Sequence, residues 1–324
     1  MSDSPQLSRP DSLPGWLGDL IAAARATDGQ PPFSDQALVD ARRGERQVLV
    51  TGDFGIALVQ RGATNEAEFV VAPDARGHGH GTVLLEALLA ESPDGLLLWA
   101  HGDHPAARTL AARFGFDAVR RLLQLRATAD RFSTALARTR TAPSTSSGSG
   151  GGNPSTSSGS RAGASGSGAG SGKSPIPEPV EGLTPFATGI DDADWLALNA
   201  RAFASHPEQG SVGQADLDEL RREPWYRDDD FLVLREGERM VGYCWLKIED
   251  GVGEFYVVGV DPDRQGSGLG RRLVAAGLAH LAERGIREAS LYVEADNTPA
   301  LALYRSFGFS DYSIDIQYAL RRFC

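Results

Sequence analysis

The sequence predicts an α/β protein of two tandem domains, each a mixed sheet flanked by helices, joined by a flexible linker. Three observations carry this. A Ser/Gly-rich tract divides the chain, the two halves repeat a pair of landmarks in the same order, and each half alternates strand-like with helix-like patterns.

Residues 141–175 are almost entirely Ser, Gly, Ala, Thr and Pro. Such a tract buries too little apolar surface to offset the entropy of ordering, and reads as a linker spanning roughly 30 Å as a coil. The expected division is residues 1–140, the linker 141–175, and residues 176–324. With 324 residues, 41% hydrophobic and 23% charged, the chain has material for two ordinary cores.

The repeat supports duplication. Val71-Ala72-Pro73 leading to Gly77, Gly79 and Gly81 answers to Val260-Asp261-Pro262 leading to Gly266, Gly268 and Gly270, and Phe114-Gly115-Phe116 answers to Phe307-Gly308-Phe309. In the second half, Phe231–Leu234, Val241–Ile248, Gly253–Val260 and Ser290–Glu294 read as strands. Leu269, Leu273, Val274, Leu278 and Leu281 recur at helical spacing after the glycines. Thr298-Pro299 reads as a cap with proline in the first turn of a helix that Gly308 ends, and Ile314–Leu320 reads as the strand closing that half.

Composition excludes several functions. A net charge of −11 argues against nucleic acid as the main partner. Only Cys244 and Cys324 occur, which fits a reducing cytosol, and no apolar run approaches the roughly 20 residues of a membrane span. The first residues lack the basic and apolar blocks of a signal peptide. Six scattered histidines without a Cys/His cluster predict no metal site, and a monomer is expected.

The glycine loop is the first feature with chemistry in it. Gln265, Gly266, Ser267, Gly268, Leu269 and Gly270 lie between a strand and a helix, with Arg271 beside them. Backbone N–H groups at a helix N-terminus, with no side chains in the way, suit a pyrophosphate. The loop returns as Arg76, Gly77, His78, Gly79, His80 and Gly81. A plain glycine-rich turn remains the alternative for either copy taken alone.

A strand ending in V-x-P, then Q/R-x-x-G-x-G/A, then N-x-x-A-x-x-x-Y-x-x-x-G-F resembles the GCN5-related N-acetyltransferase (GNAT) family, and both halves carry versions of the pattern. The resemblance implies acetyl-CoA as acetyl donor. It places the pantetheine edge at Val258, Gly259 and Val260, and in the first half at Glu68, Phe69 and Val70. It puts the pyrophosphate on the loops, and Asn297, Thr298, Pro299, Ala300, Leu301 and Ala302 beside the pantetheine arm. Gly259 is expected to form a local bulge.

For catalysis, acetyl transfer to an amine needs a base and a proton for the leaving thiolate. On residues alone, Glu254 reads equally as a solvated strand residue, and Tyr304 as core at helical spacing. The resemblance selects them as base and general acid. Counted from the loops, Glu254 answers to Asn65 and Tyr304 to Ala111, so the first half is expected to bind acetyl-CoA without transferring it.

The segments Asn199–Gly210, Gly253–Pro262 and Leu291–Asn297 resemble, more narrowly, a tandem-domain branch of that family. Its acceptor is the cysteinyl amine of a glucosaminyl-inositol pseudo-disaccharide. That resemblance implies substrate contacts from Asp35, Glu208, Lys247, Glu254 and Tyr292. The alternatives are the same chemistry on another primary amine, or an acyl-CoA-binding module without turnover.

Overall fold

The computed structural model describes residues 5–93, 95–141, 182–204 and 207–320; apart from Thr141, the expected linker lies outside them. The first half contains β1 (Leu7–Ser8), α1 (Leu17–Asp28), α2 (Asp35–Arg42), β2 (Arg46–Thr51), β3 (Gly55–Gln60), β4 (Asn65–Val71), α3 (His80–Ala90), β5 (Leu96–Ala100), α4 (Pro105–Phe114) and β6 (Phe116–Thr128). After it come α5 (Ala129–Thr141), β7 (Leu183–Pro185), α6 (Asp192–Ala202), α7 (Pro207–Gly210), α8 (Gln214–Leu220), β8 (Phe231–Glu236) and β9 (Arg239–Glu249). The chain continues through β10 (Val252–Val260), α9 (Leu269–Glu283), β11 (Glu288–Glu294), α10 (Thr298–Ser306) and β12 (Ser310–Leu320). Two compact units result: residues 1–127 with 290–324, and residues 128–289.

In the first unit the strand order is β1-β2-β3-β4-β5-β12-β6-β11. β2, β3 and β4 form an antiparallel meander, and β5 joins β4 in parallel. Alternation along these strands sends side chains to two layers. Ala57, Val59 and Ala67 meet Leu84, Leu85 and Leu88 of α3, while Val48, Val50, Ile56 and Leu58 meet Leu17, Leu20 and Ala24 of α1 and Ala37 of α2.

The expected closing strand of the second half is in this unit. β12 lies between β5 and β6, antiparallel to both. Its partners follow from its two faces. Ile316 and Tyr318 join the core beneath α3, whereas Asp315 and Gln317 are buried and bonded to residues of the first half. Strand pairing is a tertiary choice, and the pattern of β12 suits any sheet with one apolar and one polar face. α10 also differs in detail: Asn297, not Thr298, is its cap, accepting from the Ala300 N–H at 3.2 Å.

In the second unit the order is β10-β9-β8-β7. One face carries an aromatic core in which Trp195 of α6 meets Phe231, Tyr243 and Trp245 edge-on, and Phe231 stacks on Trp245 at 4.5 Å. The other face is covered by α9, whose Leu273, Val274, Leu278 and Leu281 are buried. Among the described residues, no helix is long and apolar enough to cross a membrane.

Candidate active site

β10 runs antiparallel to β9, with a register shift between Phe255 and Val257. Tyr256 is therefore a bulge residue, and below it Glu254 stands opposite Lys247. The bulge is not at Gly259, where it was expected. Gly259 meets a different need: a Cβ there would run into the Tyr243 ring, so only glycine lets this strand lie over that aromatic.

After β10 the chain turns through Gly266 at φ +78° and Gly268 at φ +85° into the 15-residue helix α9. Both glycines face open space, with no atom within 4 Å of an added Cβ. The loop thus offers an exposed turn with free approach to its backbone, at the positive end of a helix. These features fit a pyrophosphate. In the first half Gly77 and Gly79 repeat the positive φ at +79° and +94°. Arg76 there is already engaged: its guanidinium donates to both Asp28 oxygens, at 2.7 and 2.6 Å, and to the Val71 carbonyl.

Lys247 is 8% exposed, with its ammonium 3.4 Å from the Glu249 carboxylate and 5.4 Å from the Trp225 ring centre. Trp225 also packs against Tyr256 at 5.1 Å. A second chain of contacts starts under Gly259. The buried Tyr243 hydroxyl donates to Asn199 Oδ1 at 2.6 Å, and burial raises its pKa, keeping it a donor. The Asn199 amide donates to the Gln209 carbonyl, and Gln209 Nε2 donates back to Asn199 Oδ1. This exchange anchors α7, the turn that carries Glu208, whose side chain lies outside the described residues. Nothing in the sequence motif marks Asn199 apart from the segment Asn199–Gly210 that it opens. Its position one helical turn from Trp195, on the buried face of α6, was the available signal.

The remaining candidates of the second half belong to the first unit. Tyr292 is half-buried on β11. Tyr304, also half-buried, lies on α10 with its ring 5.9 Å from Phe309. Asn297–Ala302 form the capped start of that helix.

The first half requires a correction. β4 meets β3 without a bulge, and Glu66 stands opposite Gln60 as Glu254 stands opposite Lys247. The structural counterpart of Glu254 is therefore Glu66, not Asn65. Counting from the loop missed this because the bulge at Tyr256 gives β10 one residue more than β4 between the acid and the end of the strand. Glu66 accepts from Trp99 Nε1 at 3.2 Å and from Gln317 Nε2 at 2.9 Å. On the same face, Glu68 is 2% exposed and accepts from the Ser34 N–H and hydroxyl, beside Asp35 at the start of α2.

His101 bridges Glu68 and Asp315, at 3.2 and 2.9 Å. Burial alone would lower its pKa, but the bonds and charges of Asp315 and Glu68 hold it at about 10. Glu68 is likewise pushed up by burial and brought below the usual carboxylate range by His101 and Arg46. β4–β5 pairing runs from Asn65–Leu96 to Glu68–Trp99. The expected pantetheine edge at Phe69 and Val70 lies beyond the last pair, and the Glu68 side chain is committed to the network. Beside the position of Tyr304 the first half has Leu110 or Ala111, according to whether the proline or the Gly-Phe landmark is matched, and neither carries a hydroxyl.

Residues 37–116 and 196–309 both match the Acetyltransferase (GNAT) family. The chain is 45% identical over 319 residues to the mycothiol acetyltransferase of Clavibacter michiganensis subsp. michiganensis, covering 95% of this chain and 92% of that one. It is 38% identical to those of Kocuria rhizophila, covering 95% and 97%, and Streptomyces coelicolor, covering 95% and 92%. Among solved structures, a tandem GNAT protein from the clavulanic acid pathway aligns with TM-score 0.64 at 16% identity, covering 97% of each chain. A GCN5-related N-acetyltransferase from Sphaerobacter thermophilus aligns with TM-score 0.61 at 21%, covering 99% and 98%. With two matched regions, repeated glycine loops and relatives similar along nearly their whole length, the chain belongs to the acetyltransferase (GNAT) family.

Proposed function

We propose that this protein transfers acetyl from acetyl-CoA to the cysteinyl amine of cysteinyl-glucosaminyl-inositol, forming mycothiol in the cytosol. The observation that carries the reading is the end-to-end similarity to relatives bearing the name mycothiol acetyltransferase. The Glu254–Lys247 pair supports it, because a carboxylate and a buried ammonium suit a polyol that carries one amine.

Bound acetyl-CoA supplies the activated thioester. Gly266–Gly270 and the start of α9 hold its pyrophosphate, and the backbone of Val258–Val260 pairs with its pantetheine arm. Glu254 takes the proton of the acceptor, directly or through water; an α-amino group of pKa about 7.7–8.0 needs no stronger base. The Val258 N–H is the oxyanion donor. Tyr304 hydrogen-bonds the departing sulfur, and full proton transfer from a phenol of pKa about 10 to a thiolate of about 8.5 is uphill.

The first half binds acetyl-CoA and does not transfer it. This division is supported by the engagement of Glu66 and Glu68 and by the lack of a hydroxyl at the α4 position that matches Tyr304, Leu110 or Ala111.

The test is thiol release from acetyl-CoA with cysteinyl-glucosaminyl-inositol, beside an aminoglycoside, a polyamine and a peptide N-terminus. Saturable turnover confined to the first acceptor, weakened about tenfold or more by Tyr304→Phe, is expected. Binding of acetyl-CoA without turnover of that acceptor overturns the reading.

A further inference from the structure

We infer that Trp225 positions Lys247 for the acceptor, so that an indole in the loop after α8 sets the affinity for the amine substrate. The inference rests on the function proposed above.

Lys247 lies on β9 two residues beyond Trp245, on the face that carries the aromatic core. It is 8% exposed, so its ammonium has left most of its water behind and needs other partners. Two are at hand. Glu249 approaches to 3.4 Å but is half-exposed, and the Trp225 ring centre lies 5.4 Å from Nζ. An indole face attracts a cation within about 6 Å, and more strongly where water is displaced.

Trp225 is itself held from several sides. It is 7% exposed, tilted against Trp245 at 5.9 Å and against the bulge residue Tyr256 at 5.1 Å. It therefore touches β9 and β10 at the one place where their register shifts, immediately above the Glu254–Lys247 pair. Pro224 and the turn closed by the Tyr226 N–H to the Glu223 carbonyl fix the backbone that presents it. A lysine has four rotatable bonds and would otherwise sample many placements. Set over a rigid ring, the ammonium keeps its N–H donors at a constant place on the strand opposite Glu254, where acceptor hydroxyls meet them. The ring makes no chemical step; it acts through Lys247.

A double-mutant cycle separates this from an ordinary core role. In the full-length protein, Trp225→Leu raises the acceptor KM about tenfold, the size of a desolvated cation–π contact, with the acetyl-CoA KM and kcat nearly unchanged. Trp225→Phe and Trp225→Tyr keep a ring and fall between wild type and Leu, so the ladder is readable even where Leu folds poorly. In a Lys247→Met background the same changes leave the acceptor KM unaltered. Equal effects in both backgrounds, or a loss shared between acceptor and acetyl-CoA KM that follows Tm, overturns the inference while leaving the proposed function standing. Absence of turnover in the unmutated protein overturns the function, and this inference with it.

Discussion

Between the acid and the end of the strand, the two glycine-loop strands differ by one residue. β10 carries a bulge at Tyr256, with Glu254 facing a lysine. β4 pairs evenly with β3 and carries Glu66 and Glu68, whose oxygens are taken by Trp99, Gln317, Ser34 and His101. The halves therefore do not differ by presence or absence of an acid at this register position. They differ in the residue opposite it, Lys247 in one and Gln60 in the other. Buried Glu68, which accepts from Ser34 and His101, is held ionised by these bonds and by the charges of His101 and Arg46.

The largest test of this contrast is on the acids. Glu254→Gln should lower kcat/KM for acetyl transfer by about 10²–10⁴-fold, the range of a general base. Glu66→Gln should leave it within about twofold, since its carboxylate only bridges strands. Comparable losses from both would break the comparison.

The His101 network should show in stability. His101→Gln removes the cation between buried Glu68 and Asp315, leaving Glu68 with Arg46 at 3.8 Å, at a cost of about 3 kcal/mol in urea unfolding. The pH dependence has a definite sign. His101, raised from 6.5 to about 10, contributes fully below about pH 6.5, and the contribution is lost as pH rises to 10. Glu68, lowered from 4.5, contributes above about pH 4.5, and its share is lost in acid. The difference between wild type and His101→Gln should peak between these limits and shrink toward pH 10. A difference that grows with pH would contradict the charge assignment.

The smallest effect concerns the first loop. Arg76→Ala removes a partly exposed pair with Asp28, worth about 1 kcal/mol at most. Turnover should stay within about twofold, because that loop serves the half whose acid is engaged. A large loss of kcat would assign transfer to the first half.

Much of this was legible in the sequence. The glycine loops, the helix after them and the proline-started α10 follow from backbone chemistry local to a few residues. What escaped was set by strand pairing. A bulge adds one residue without any mark in composition, so aligning Glu254 with Asn65 by counting from the loop fell one position short. The partners of β12 escaped for a similar reason, although Asp315 and Gln317 alternating with Ile314 and Ile316 did mark a polar face that needed buried partners. His101, one residue after an apolar strand, had no distinguishing neighbour in sequence.

The place of β12 also governs how the sheet can assemble. It lies far along the sequence from β5 and β6, yet it occupies the lane between them, and its Asp315 completes the bonding of His101. Without it, β5 and β6 each expose an unpaired edge. Closure of this sheet therefore waits on a pairing of large sequence separation, the kind of contact that forms slowly because its loop entropy is met first.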